Sequence, residues 1–333
     1  MKPSSEQGFS LIELLVATCI LLIVMGVVMT ALNQTTKQQQ TIWNRTEMHS
    51  GVRGATELMQ QEVGQAGRLS VPIDIRLQAG VPATANCDPA NPGVNATTVQ
   101  VNSIAGLWAT AGAVPASYAL VTTMDGAAQE STPVWQIQSN PPQITACFSK
   151  AHAANTLIST LGSFGNGIVP PDGGFGSSAT VLKMFGDING DGNMVYVEYT
   201  CDWQNAHRLY RNTMPFDAPV AAKPGLGAAL VLLNNIQQNP PTAANPGGEP
   251  CFTYQTETAP VQGGTMTFVT DVAITLTVQT QQVDSVTKQF QTETKALLNV
   301  SPRNVFNALQ LAGIGFTDRI QSTPATIAAL ISS

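Results

Sequence analysis

An α+β fold is expected for this chain, on three observations. The first is one long apolar and then amphipathic stretch, free of proline between Pro3 and Pro72. After about Leu69 the texture changes to short β-rich runs separated by Pro, Gly and Asn. The order, with a helix first and strands afterwards, argues for a segregated helix packed on an antiparallel sheet rather than alternating βαβ units. At 333 residues there is ample length for a helical stem and a large head.

The apolar run from Phe9 to Leu32 contains a single charge, Glu13. As a helix it would extend about 36 Å, enough to cross a bilayer. The leader before it is polar, with one basic residue, Lys2, and ends at Gly8. A secretory signal has a shorter apolar core with its cleavage site behind it. Here the polar leader stands ahead of a longer apolar run, which is not that arrangement. A carboxylate within hydrocarbon costs about 3 kcal/mol on insertion scales and generally marks a function.

Helical periodicity continues beyond the membrane stretch. Val52, Ala55, Met59, Glu62, Val63 and Ala66 recur at three-to-four spacing, with Arg53, Glu57 and Gln61 at polar positions. Gly64, Gly67 and Pro72 close the helix, and Gly26, Gly51 and Gly54 are points where it could bend. In the head, strands are expected at Thr97–Val101, Ala119–Thr123, Val134–Gln138, Ala179–Phe185, Met194–Tyr199, Arg208–Arg211, Phe252–Gln255 and Thr267–Val278. A final strand at 289–300 pairs with the last of these. Ala228–Ile236 reads as a short helix or apolar segment, and 80–96, 160–178 and 238–250 read as loops. No internal repeat is present.

The stretch Gly8-Phe9-Ser10-Leu11-Ile12-Glu13-Leu14-Leu15-Val16-Ala17 closely resembles the class III signal of type IV pilins and type II secretion pseudopilins. Looser similarity to PilW-like minor pilins and J-type pseudopilins is carried by Val195-Tyr196, Leu209-Tyr210-Arg211, Leu232-Leu233-Asn234-Asn235-Ile236, Cys251-Phe252-Thr253-Tyr254 and Pro302-Arg303-Asn304-Val305. The resemblance implies a pilin fold with five segments. These are a leader (1–8), the transmembrane half of the helix (9–32), its periplasmic amphipathic half (33–68), a β-rich head (69–305) and a tail (306–333) matching no pattern. It also implies cleavage by a prepilin peptidase after Gly8, N-methylation of Phe9, and pairing of Glu13 with such an amine during extraction from the inner membrane. Other minor pilins and the major pilin would be the partners. The implied itinerary is a single-pass inner-membrane protein with a periplasmic head, then a pilus at the cell surface. J-type pseudopilins are typically shorter, and the extra length here lies mainly within 70–180, which favours the minor pilin over the pseudopilin. A membrane-anchored calcium-dependent adhesin is a third reading.

Cys87, Cys147, Cys201 and Cys251 form an even set outside the apolar run, which holds the fifth cysteine, Cys19. Three pairings are open. Nearness in sequence favours Cys87–Cys147 and Cys201–Cys251, in an oxidising compartment. Asp187-Ile188-Asn189-Gly190-Asp191-Gly192 followed by Asn193 and, at the twelfth position, Glu198 fits the D-x-N-x-D-G calcium-loop template. Asp187, Asn189, Asp191 and Glu198 would give side-chain oxygens and Asn193 its carbonyl, so Ca²⁺ is the expected cofactor. The same Asp, Asn and Gly residues suit a metal-free hairpin turn, and both readings stand on sequence alone.

Charged residues make up 11% of the chain and the net charge is −6, so there is no basic footprint for nucleic acid. His49, His152 and His207 are scattered, and no Walker loop, HExxH, GxSxG or GxGxxG stands out, so no enzyme is expected. His49 reads as a polar-face residue of the stem. Trp108, Trp135 and Trp203 read as sheet-packing aromatics.

Overall fold

The computed structural model describes residues 10–87, 95–107, 120–160, 162–261 and 264–333. Ala119 and Trp108 lie outside them. The chain forms two compact units, one of residues up to Gly51 with Gln279–Glu293, the other of Val52–Val278 with Thr294–Ser333.

The first unit is built on the leading part of α1 (Leu11–Gln65). Gly26, Gly51 and Gly54 all lie inside this helix, with no local unwinding of its hydrogen-bonded run. Hydroxyls along it bond back to the preceding turn, Thr18 to the Leu15 carbonyl at 2.9 Å and Thr30 to the Gly26 carbonyl at 2.8 Å. Each hydroxyl is thereby satisfied without a solvent partner, which a hydrocarbon surrounding demands. The segment Gln279–Glu293 turns tightly: the Asp284 carboxylate accepts the Val286 and Thr287 N–H groups at 2.8 and 2.7 Å. It meets the helix through Ser285 with Gln40 (3.2 Å), Arg45 with Gln291 and His49 with Glu293. His49 is exposed on the helix, as expected, and faces Glu293.

In the second unit α1 presents the expected stripe: Val52, Ala55, Met59, Glu62, Val63 and Ala66 are all buried. A six-stranded sheet holds β1 (Ile75–Arg76), β2 (Thr97–Gln100), β3 (Leu120–Thr123), β4 (Ser131–Ser139), β5 (Pro142–Ala146) and β6 (Leu157–Ser159), in the order β1-β6-β3-β4-β5-β2. Its core comprises Ile75, Leu77, Val121, Val134, Ile144, Phe148 and Ile158. After the short β7 (Ser163–Phe164), an antiparallel sheet is made by β8 (Val181–Gly186), β9 (Val195–Asp202), β10 (Arg208–Pro215) and β11 (Val231–Asn234). A third sheet joins β12 (Ile236–Gln237), β13 (Phe252–Val261), β14 (Gly264–Gln279) and β15 (Thr292–Val300). The apolar run Ala228–Ile236 is therefore one 3-10 turn and then strand, because Leu209 and Arg208 of β10 offer it a partner edge.

Residues 306–333 fold into this unit. Helix α2 (Arg303–Gly313) buries Val305, Ala308, Leu309 and Ala312 against Phe268 and Ala259. Strand β16 (Ile320–Gln321) runs parallel to β7. Helix α3 (Ala325–Ile331) inserts Ile327 and Leu330 among Phe164, Phe185, Tyr196 and Phe216.

The end of α1 is fixed by glycines. Gly67 takes φ +79°, the left-handed conformation that ends helices. A Cβ on Gly167 would lie 2.1 Å from the Gly67 Cα, and one on Gly186 would lie 2.9 Å from the Arg68 carbonyl. The absent side chains let main chain meet main chain. Gly67 N–H donates to the Phe185 carbonyl (2.9 Å), Phe164 N–H to the Gly67 carbonyl (2.9 Å) and Asp187 N–H to the Arg68 carbonyl (2.9 Å). The Asn304 amide donates to the Gln65 and Ala66 carbonyls at 3.0 and 3.3 Å, so residues just ahead of the tail cap the stem helix.

Replacing Gly167 with Ala should force the crossing apart and lower stability by about 3 kcal/mol or more, as other overpacked or strained sites do. Thermal unfolding of the detergent-solubilised chain checks this, with Gly54→Ala, which meets no atom within 4 Å, as the tolerated control.

Candidate functional site

The residues with the strongest chemical signal lie at the start of α1. Gly8 and Phe9 lie outside the described residues. Ser10 and Glu13 form a reciprocal cap at the helix start: the Glu13 carboxylate accepts the Ser10 N–H at 2.9 Å, and the Ser10 hydroxyl accepts the Ile12 N–H at 3.4 Å. This is the capping-box arrangement of Ser followed three residues later by Glu. The signal for it in the sequence is the Ser10-x-x-Glu13 spacing ahead of an apolar run. The carboxylate also sits at the positive end of the helix dipole, which favours it.

From Leu11 onward the helix is apolar on every side. Its most apolar window has a mean hydropathy of 2.8 and no part buried, so by length and composition it could cross a membrane. Leu11 is 82% exposed and Leu22 70% exposed. A helix that is apolar all round needs lipid or other helices about it. Cys19, a free thiol, is exposed on the same stretch.

Farther along α1, Glu62 interrupts the buried stripe. Its carboxylate accepts hydrogen bonds from the Arg211 guanidinium (Nε at 3.2 Å to both oxygens, with Nη2 closer to Oε1) and from the Tyr199 hydroxyl. Tyr199 and Arg211 are cross-strand neighbours on β9 and β10. Burial, reinforced by the Glu62 charge and hydrogen bond, pushes the Tyr199 hydroxyl far above its usual range. For Arg211 burial opposes the charge, but the Glu62 hydrogen bond and charge outweigh it and its pKa is raised. The trio thus ties the helix to the middle of a sheet by one charged, satisfied contact.

The loop from Asp187 to Asn193 joins β8 to β9, as a hairpin rather than between helices. Gly190 and Gly192 have φ of +73° and +84°, and a Cβ on Gly192 would stand 2.4 Å from the Pro72 Cα. The fully buried Asp187 carboxylate accepts the Asp191 N–H at 3.0 Å and the Ser70 hydroxyl, with the Arg68 guanidinium 3.5 Å away. Asp191 turns its carboxylate to the Asn193 N–H at 2.8 Å, and Asn189 and Asn193 are exposed. Glu198 is elsewhere. It sits opposite Lys183 in the β8–β9 register and accepts the Lys223 ammonium at 3.0 Å and the Tyr196 hydroxyl at 2.7 Å. Among the described residues no group of three or more His, Cys, Asp or Glu could hold a metal ion. Calcium needs six to eight oxygens, and in this arrangement the Asp187, Asp191 and Glu198 carboxylates each accept protein donors. Arg68 supplies the positive charge at Asp187.

Another buried polar cluster had no sequence signal. The His152 ring, wholly buried, faces Asp125 from Nδ1 at 2.6 Å and Glu130 from Nε2 at 2.7 Å. Glu130 also accepts the Ser149 and Lys150 N–H groups at 2.9 and 3.0 Å. Burial pulls the Asp125 carboxyl upward, and the hydrogen bond and charge of His152 together with its other hydrogen bonds bring it below its ordinary value. Residues from separate loops meet here, so no spacing in the chain announces the cluster. Disulfides link Cys87 to Cys147 and Cys201 to Cys251, with Cα separations of 5.6 and 6.5 Å. The second ties β9 to the start of β13.

The family model described as the prokaryotic N-terminal methylation motif matches residues 3–29. No curated protein and no solved structure matches the chain.

Glu62→Met should cost about 3 kcal/mol because it strands the Arg211 charge, while adding Arg211→Met should recover much of that loss. Chemical denaturation of the four members of the cycle checks this. Arg68→Met should lower the melting temperature, and a calcium chelator separates the two readings of the loop: it lowers the wild-type melt if the loop holds the metal and leaves it unchanged if the loop is a metal-free turn.

Proposed function

We infer that this pilin-like protein, which carries a class III prepilin-type signal, is a PilW-like minor pilin of a type IV pilus that helps to start fibre assembly. The observation carrying this reading is the N-terminal methylation motif laid over a helix whose leading apolar stretch is unburied and holds its single carboxylate, Glu13, in the first turn. A prepilin peptidase would cut after Gly8 and free the amine of Phe9, which would then be methylated. The apolar half of α1 would wait in the inner membrane with the head in the periplasm, where the two disulfides are stable. Assembly would exchange lipid for the helices of other minor pilins and of the major pilin. Because lipid is as apolar as leucine, packing and polar contacts rather than hydrophobicity must favour that exchange. Glu13 suits the task. Within one chain it caps its own helix, and the amine of Phe9, its own or a neighbour's, offers a charged partner that neutralises it.

Head size supports a minor rather than a repeated subunit. The six-stranded sheet and its core are built from the 75–159 region, the source of the extra length. A head with sheets of six, four and four strands and a two-stranded pair is bulky for a subunit stacked thousands of times. A J-type pseudopilin of a type II secretion system would share the same motif and helix, and the pilus reading rests on that extra sheet.

Mass spectrometry of the native chain should give a mature N-terminus at methylated Phe9. Glu13→Ala should leave membrane insertion intact and reduce incorporation into fibres by roughly tenfold, the effect of losing about 1.4 kcal/mol at each docking event. A native protein that retains Met1–Gly8 would overturn the reading. Deletion that stops exoprotein secretion but spares pili would assign the chain to the secretion machine.

A further inference from the structure

Gly64 has no structural reason to be glycine within this chain. It lies inside α1, its φ is not in the left-handed region, and a Cβ there would meet nothing within 4 Å. Glycine within a helix costs about 1 kcal/mol relative to alanine. It stands on the face opposite the buried stripe, together with Gln60 and Gln61. That face lines an open groove of about 980 Å³, to which Asn189, Arg68 and Arg303 also contribute. Arg303 is exposed and makes no ion pair among the described residues, and the Arg68 side chain is 42% exposed even as it reaches Asp187. The acids at the margin are already matched, Glu57 by Arg53 at 2.6 Å and Glu62 by Arg211. With Arg68 held by Asp187, what the groove offers a visitor is therefore the guanidinium of Arg303, unpaired among the described residues, amide hydrogen bonds and a patch of bare helix backbone.

We propose that this groove is a docking site for a carboxylate-bearing segment of a neighbouring pilin-like subunit, different from this chain, with Gly64 leaving room for close approach to α1 and the unpaired Arg303 pairing with its acid. The inference rests on the assembly reading above. It extends that reading along the same helix: the apolar stretch from Leu11 packs with neighbouring helices, and the groove fixes which neighbour sits beside the head. Charge complementarity gives such a contact its register and its choice of partner.

The test uses full-length chains in cells that assemble fibres. Gly64→Trp fills the groove from a position open to solvent, and Arg303→Glu reverses its charge. Each should leave the melting temperature and N-terminal processing unchanged and reduce incorporation by about tenfold or more, as for a disrupted contact hot spot. A photo-crosslinking residue at Gln61 should join this chain to a different chain that has its own N-terminal methylation motif, at a peptide containing Asp or Glu. Normal incorporation of both variants would overturn the groove. So would a crosslink to a second copy of this chain alone, or no crosslink in assembled fibres. Glu13→Ala, run in parallel, separates the two ideas: if it is excluded from fibres while the groove variants enter, the docking site fails and the assembly reading stands, and if it too enters normally the assembly reading fails.

Discussion

The contact on which the head depends is the close crossing of main chains at the end of α1. Gly67, Gly167 and Gly186 remove the side chains that would hold the helix end away from the β8 edge, and the hydrogen bonds among Gly67, Phe164 and Phe185 then close directly. A buried helix terminus ordinarily leaves carbonyl and amide groups unsatisfied. Here they are met by strand carbonyls and by the Asn304 amide, so the helix ends inside the fold at little polar cost. The same crossing brings Arg68 and Ser70 to the Asp187 loop and Pro72 against Gly192.

The helix itself answers to two environments. Its leading part has apolar side chains on all faces and no protein cover, while its trailing part buries one stripe and exposes the other face. Charges are placed accordingly. Glu13, in the apolar part, turns to its own backbone N–H, whereas Glu62, in the stripe, meets a guanidinium and a phenol from the sheet. Both carboxylates are satisfied, one locally and one by tertiary structure, because an unsatisfied charge in either setting would cost several kcal/mol.

The disulfides and the tail play a related part. Sheets joined by long loops gain little cooperativity from local sequence, and the loops here are long. Cys201–Cys251 connects the second sheet to the third, and α3 places Ile327 and Leu330 in the aromatic core beneath the second sheet. The buried ammonium of Lys183 donates to the Phe175 and Ile331 carbonyls at 2.8 and 2.7 Å, which holds α3 in place. Burial lowers the Lys183 pKa, and the Glu198 charge on the facing strand partly offsets that.

The sequence by itself determined the helix, its stripe, its stop at Gly67 and most strand centres, because these follow from local periodicity and backbone preference. Strand ends were less legible. β10 runs on to Pro215 and β13 to Val261, since a partner strand extends pairing beyond what propensity supports. The Asp187 loop was legible as a turn, but the approach of Arg68 from another element was not, since the template says nothing of it. Residues 306–333 showed no pattern because their elements are short, and short helices are stable only when their apolar face finds a core. Tertiary structure alone decided the His152 cluster, the partners of Glu62 and the strand fate of Val231–Asn234. In each case the stabilising contact joins residues distant in the chain, and no local pattern encodes such a meeting.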